Sequence, residues 1–94
     1  MPRYEVRYSL KFKKDYKRMK SQGKDLSKLD EVIDRLCAGV SLDAKHRDHQ
    51  LKGAYYGHRE CHIESDWLLI YLPPEHGEII LTAVRTGSHS DLLR

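Results

Sequence analysis

The chain has 94 residues, with 17 Lys and Arg against 14 Asp and Glu for a net charge of +3, six His, two Cys and one Trp. A chain of this length buries roughly two thirds of its unfolded surface, enough for one hydrophobic core, so residues 1–94 read as a single domain with no room for a separate cofactor domain. No stretch approaches the roughly 20 apolar residues of a membrane span, and Met1-Pro2-Arg3-Tyr4-Glu5 runs into strand-like sequence without an apolar signal core, so a soluble, cytoplasmic protein with no membrane contact is expected.

Arg3-Tyr4-Glu5-Val6-Arg7-Tyr8 alternates charged and apolar, which predicts a strand with Tyr4, Val6 and Tyr8 facing the core. Ser9 offers an N-cap, and Phe12, Tyr16 and Met19 at i, i+4 and i+7 place a narrow apolar stripe on a helix whose other faces are lysine. Gly23 ends it. A second helix begins at Asp25 or Ser27, carries Leu26, Leu29, Val32, Ile33, Leu36 and Cys37 on one face, and stops at Gly39. Two short helices in tandem predict a helical hairpin.

Residues 41–58 keep no period and are rich in His, Asp, Lys and Gly, so they read as a loop leading into a strand. Residues 59–63 alternate again, and 67–72 and 78–84 are apolar runs. The breaks Glu64-Ser65-Asp66 and Pro73-Pro74-Glu75-His76-Gly77 have turn chemistry, which predicts a three-stranded antiparallel meander. The order β-α-α-β-β-β defines a small α+β, two-layer domain in which a sheet carries the helical hairpin on one face and leaves the other for a ligand. Cys37 and Cys61 lie outside any CxxC or CxxH pair and read as small buried residues, not as zinc ligands or a disulfide framework.

The charge is unevenly distributed. Residues 1–28 hold ten Lys and Arg against three acids, a balance of +7, which leaves −4 for the remainder. Such a basic edge suits a polyanion, because each cation placed on a phosphate releases condensed counterions; the bland reading is a solvated helix face.

Four acid/base side chains fall at strand ends or loops of the second half: His49, His62, Asp66 and His89. If Cys61 and Ile63 face the helices, His62 faces the open side, and Glu60 and Glu64 share that face. Histidine gives and takes protons near neutrality, so two or three on one face make an acid/base pair. RNA transesterification suits such a set. The substrate brings its own nucleophile, the 2′-OH, and needs a base, an acid for the departing 5′-oxygen, and a cation for the phosphate. The bland reading of His62 alone is a surface histidine. The same four residues also make a three-histidine, one-carboxylate ligand set of a kind that suits zinc or iron, although no HxH or HxxxH spacing supports it. His46, His58 and His76 read as ordinary loop histidines, apart from a phosphate contact open to His58.

Asp48-His49-Gln50-Leu51-Lys52-Gly53, the run from Arg59 through Trp67 to Tyr71, and Arg85-Thr86-Gly87-Ser88-His89-Ser90-Asp91-Leu92 resemble the YafQ branch of the RelE-type bacterial toxins. The resemblance covers essentially the whole chain. It implies a RelE-like fold and a ribosome-dependent mRNA endonuclease that works by 2′-OH attack with no metal or other cofactor. It also implies a cognate antitoxin that neutralises the protein, with operator DNA met only through the toxin–antitoxin complex. Carried over residue by residue, the family's active-site set falls on His49, His62, Asp66 and His89. His89 would then be the general acid, His49 or His62 the base, and Asp66 the group that orients a histidine. Arg85 and Arg59 would meet the scissile phosphate, with Trp67 beside the site. The position often held by Phe, a base-stacking platform, is Leu93 here. Lys11, Lys13, Lys14, Lys17 and Arg18 become candidates for docking on ribosomal RNA. The rival expectation is a non-catalytic module of the same fold that grips RNA or an antitoxin.

Overall fold

The computed structural model describes residues 3–92. Its elements are β1 (Glu5–Tyr8), α1 (Leu10–Ser21), α2 (Leu26–Cys37), a 3₁₀ turn at Ala44–His46, β2 (His49–Gln50), a second 3₁₀ turn at Gly53–Tyr55, β3 (Arg59–Glu64), β4 (Trp67–Leu72), β5 (Ile80–Gly87) and a single-turn α3 (His89–Leu92).

The helix ends follow the local chemistry of the sequence. Ser9 Oγ accepts from the Phe12 amide at 2.9 Å and Asp25 Oδ1 from the Ser27 amide at 3.1 Å, so both α1 and α2 carry side-chain N-caps. At the other end, Gly23 and Gly39 take φ of +76° and +74°. Their amides return to Lys20 O and Leu36 O, and the amides that follow return to Met19 O and Arg35 O. Each is a Schellman ending, which satisfies carbonyls the last turn leaves free.

The sheet runs β1-β5-β4-β3-β2, with β1 parallel to β5 and every other pair antiparallel. The expected meander is therefore present, and the helical hairpin is the crossover that brings β1 to the outer side of β5. Phe12, Met19, Leu29, Val32, Ile33 and Leu36 pack on Cys61, Ile63, Trp67, Leu69, Tyr71, Leu81 and Ala83 to form the main core. Tyr4 and Val6 reach that core only in part, and Tyr8 is 42% exposed, stacked on the Phe12 ring. The correction to Tyr8 has a simple cause: β1 is an edge strand that stops where α1 begins.

Two further expectations are corrected. The face away from the helices is not bare. Leu68 and Ile70 meet Leu92 there, and Leu51, Tyr55 and Val84 pack against them, so β4 is apolar on both faces because both are covered. Glu64 does not share a face with Glu60 and His62. The register shifts between His62 and Glu64, with His62 opposite Leu68 and Glu64 opposite Trp67, so the extra residue Ile63 turns Glu64 to the helix side. There it meets Lys28 of α2 at 3.1 Å.

Both long strands outrun their outer neighbours, and side chains finish the exposed edges. Beyond Tyr8, Ser9 Oγ donates to Val84 O at 2.6 Å and Asp15 Oδ2 accepts from the Thr86 amide at 3.1 Å. On the opposite side, His46 Nδ1 lies 2.7 Å from His62 O, just past the short β2. Backbone groups that a neighbouring strand would have paired are thereby satisfied.

Candidate active site

The strand pairing sets out the face away from the helices as a grid. Glu60, Ile70 and Arg85 stand opposite one another across β3, β4 and β5, and His62, Leu68 and Gly87 form the next row. His49 pairs with Glu60 from β2. The β3–β4 turn then delivers Asp66, and β5 ends in α3, whose first residue is His89.

These side chains converge. Asp66 Oδ1 accepts from the His89 backbone amide at 3.0 Å and lies 2.8 Å from its ring Nδ1, so His89 donates through Nδ1 and keeps Nε2 for other chemistry. The two hydrogen bonds, backbone first, hold the Asp66 carboxyl below the usual carboxylate range. The His89 ring lies 5.6 Å from the His62 ring, tilted by 59°. Glu60 sits beneath: its Oε1 is 3.6 Å from His62 Nε2 and 3.7 Å from His49 Nε2. His49 is fixed from behind by Nδ1, 2.6 Å from Arg47 O.

Glu60 is the residue that sequence reasoning undervalued. It is 3% exposed, and its Oε2 is buried without a hydrogen-bond partner among the described residues. The signal was the period-two spacing that puts Glu60 and His62 on one face. What spacing does not show is that β2 and His49 cover the carboxylate. A buried carboxylate without full pairing is costly, so this group is placed to pair with a neighbouring donor or a cation.

The metal question also changes shape. The ligand set foreseen from sequence was His49, His62, Asp66 and His89, whereas among the described residues the ligand atoms that lie within 4.8 Å of one another are those of Glu60, His62 and His89. Asp66 holds His89 from outside that group. Two imidazoles and a carboxylate suit zinc or another borderline transition metal with a position left open.

The expected cations are placed differently from one another. Arg85 shares the row of Glu60, two strands or about 10 Å away. Its Nε and Nη2 bond Asp15 at 2.7 and 3.2 Å, with Asp15 itself 2% exposed. Arg59 lies on the helix face with Cys61 and Tyr71, bound to Asp48 at 3.1 Å, so the sheet separates it from His62 and its expected phosphate contact is corrected. Trp67 is also corrected. It is 1% exposed in the main core with Nε1 donating to Thr86 Oγ1 at 2.9 Å, which leaves no ring face for a base. Leu93 lies outside the described residues. On α1, Lys11, Lys13, Lys14 and Lys17 are exposed as expected, but Arg18 folds inward onto Asp15 at 3.1 Å and Asp91 at 3.7 Å.

The fold has counterparts among known proteins. The sequence profile of the bacterial toxin YafQ of type II toxin–antitoxin systems matches residues 4–94. The chain belongs to the YafQ toxin family. The mRNA interferase toxin YafQ of Escherichia coli K12 is 35% identical over 89 residues, 94% of each chain. Among solved YafQ structures, the toxin of the E. coli DinJ–YafQ toxin–antitoxin complex superposes with a TM-score of 0.87 at 33% identity, covering 98% of this chain and 99% of that one. A metal-bound toxin from Helicobacter pylori gives the same TM-score at 40% identity, covering 96% and 99%. The YafQ likeness thus spans both layers of the fold, including the strands that carry the histidines.

Proposed function

We propose that the protein is an mRNA interferase: a cytoplasmic, ribosome-dependent endoribonuclease that cuts translated mRNA and is neutralised by a cognate antitoxin, with operator DNA met only through that complex. The observation that supports this most directly is the pair of histidines 5.6 Å apart, each with one ring nitrogen turned to a carboxylate, Asp66 for His89 and Glu60 for His62. Such a pair can serve as acid and base on opposite sides of one phosphate.

In the proposed reaction His62 takes the proton of the substrate 2′-OH, and the 2′-oxygen attacks the adjacent phosphorus. The bond from phosphorus to the 5′-oxygen breaks, His89 protonates that oxygen through Nε2, and the products are a 2′,3′-cyclic phosphate and a 5′-hydroxyl. Asp66 keeps His89 in the tautomer that leaves Nε2 outward, and Glu60 stabilises His62 once protonated. His49 stands as the alternative base. Arg85, aimed by Asp15, supplies positive charge from β5. No step requires a metal. Exposed Lys11, Lys13, Lys14 and Lys17 dock the protein on ribosomal RNA.

Primer extension on a translated message, after induction of the wild type and His89→Ala, tests the reading. In-frame cuts made by the wild type and lost in the variant are expected; identical cuts from both would remove His89 from the chemistry.

A second reading rests on the convergence of Glu60, His62 and His89 and on the metal-bound H. pylori relative. A metal held there would supply a Lewis acid or occupy the histidines that the first reading needs free. Chelation separates the two. Cleavage that survives EDTA supports the acid/base mechanism, and cleavage abolished by EDTA and restored by zinc supports the metal.

A further inference from the structure

Between α2, the Ala44–His46 turn and β3 lies a groove of about 570 Å³, within the size range of small-ligand sites, and none of the chemistry above uses it. Its cations come from two elements: Lys28 and Arg35 on α2, Lys45 and Arg47 on the turn. They are not equivalent. Lys28 is held by Glu64 at 3.1 Å, and Arg35 bonds Ser41 O at 3.3 Å and lies 3.8 Å from Asp43. The side chains of Lys45 and Arg47 are exposed and make no ion pair or hydrogen bond among the described residues.

Two features tie this groove to the active site. His62 lines the groove while its ring belongs to the histidine cluster, so the groove adjoins the proposed point of cleavage along β3. The turn that carries Lys45 and Arg47 is also fastened to β3 at that same residue, through His46 Nδ1 and His62 O. Arg47 is besides the one non-glycine residue with positive φ, +47°, among the described residues. A side chain with a Cβ is strained in that conformation, and such strain is characteristic of functional sites.

We infer that this groove binds the phosphodiester backbone of the RNA strand on one side of the cut, with Lys45 and Arg47 as its principal phosphate contacts. The inference builds on the nuclease reading and adds a path for the substrate strand. Two basic surfaces then have separate roles, the exposed lysines of α1 meeting ribosomal RNA and the turn beside β3 meeting the message. Either RNA offers the same phosphates, so the experiment must distinguish them.

The test uses the double variant Lys45→Gln/Arg47→Gly, in which glycine suits the positive φ and so favours folding. Binding of a single-stranded RNA made uncleavable by a 2′-deoxy residue at the cut is followed by fluorescence anisotropy from 50 to 200 mM salt. Loss of two phosphate contacts should weaken binding and reduce the slope of log K against log salt by about 1.4. Co-sedimentation with ribosomes should be unchanged. Equal oligonucleotide affinity and slope for variant and wild type would overturn the inference, as would no binding by either. Loss confined to ribosome co-sedimentation would also overturn it, assigning the groove to ribosomal RNA. Cleavage of translated message by the wild type is read in parallel. A protein that binds the oligonucleotide through Lys45 and Arg47 yet cuts nothing keeps the groove and loses the nuclease reading.

Discussion

Asp15→Asn is expected to destabilise the protein by about 3 kcal/mol. The carboxylate is 2% exposed and accepts from Arg85 Nε at 2.7 Å, Arg85 Nη2 at 3.2 Å and the Thr86 amide at 3.1 Å, with Arg18 Nη2 at 3.1 Å. Removing one member of a buried ion pair costs about 3–5 kcal/mol, because the remaining charge is left without compensation. Here the lower end applies. The Arg85 and Arg18 side chains are 19% and 37% exposed and can recover some hydration, and asparagine keeps one oxygen for the Thr86 amide. For a domain of this size, where 1 kcal/mol shifts Tm by about 4–8 °C, Tm should fall by about 12–24 °C. Urea unfolding gives the energy directly, provided the m-value is unchanged. A second variant, Asp15→Leu with Arg85→Met, should recover part of the loss by replacing the pair with apolar volume. A loss below about 1 kcal/mol for Asp15→Asn would refute the reasoning and make the Asp15–Arg85 pair worth no more than an exposed one.

Three further outcomes are expected. His62→Ala and His89→Ala should each retain the wild-type Tm while slowing message cleavage by about 10²- to 10⁴-fold, measured as single-turnover rates on programmed ribosomes; rates within a factor of three of wild type would exclude them as acid and base. Asp66→Asn should remove stability that depends on pH. Because the folded state holds this carboxyl below its ordinary value, its contribution is present above the unfolded pKa and vanishes as pH falls through the folded one, so the Tm gap between wild type and variant at pH 7 should close as pH falls below the usual carboxylate range. A gap that is constant over that range would mean that Asp66 acts only by shape. Reversal of Lys11, Lys13 and Lys17 to Glu should release the protein from ribosomes at moderate salt without changing Tm; undiminished co-sedimentation would make this helix face a solvated one.

What was legible in the chain follows the range of the forces involved. Helix ends depend on residues within four or five positions, so Ser9, Asp25, Gly23 and Gly39 could be assigned from local chemistry alone. The three long strands announced themselves by alternation or by apolar runs, although β5 continues through Arg85 and Thr86 to Gly87, past the point where its apolar run stops. His62 could be placed on the open face for the same reason. Contacts between distant residues were not legible. Asp15 and Arg85 are 70 positions apart, and nothing local distinguishes Asp15 from an exposed acid on a lysine-rich helix. Trp67, expected beside the site, is placed by the sheet under α1 and α2. The two-residue β2 is too short to show a period, yet it is what brings His49 to Glu60.

One extra residue in β3 decides how the acids of this protein are divided. With unbroken alternation, Glu64 would join Glu60 beside His62, and a polyanionic substrate would face two negative charges where it must come closest. The shift at Ile63 sends the second acid to the opposite layer, where it fastens Lys28 and with it the start of α2. On the proposed nuclease reading, a strand irregularity that would pass for a packing defect works as a charge sorter, keeping the second carboxylate off the face of the histidine pair and neutralising it on Lys28 while tying the helix layer to the sheet. Shortening β3 by that residue should therefore harm substrate approach and helix docking together.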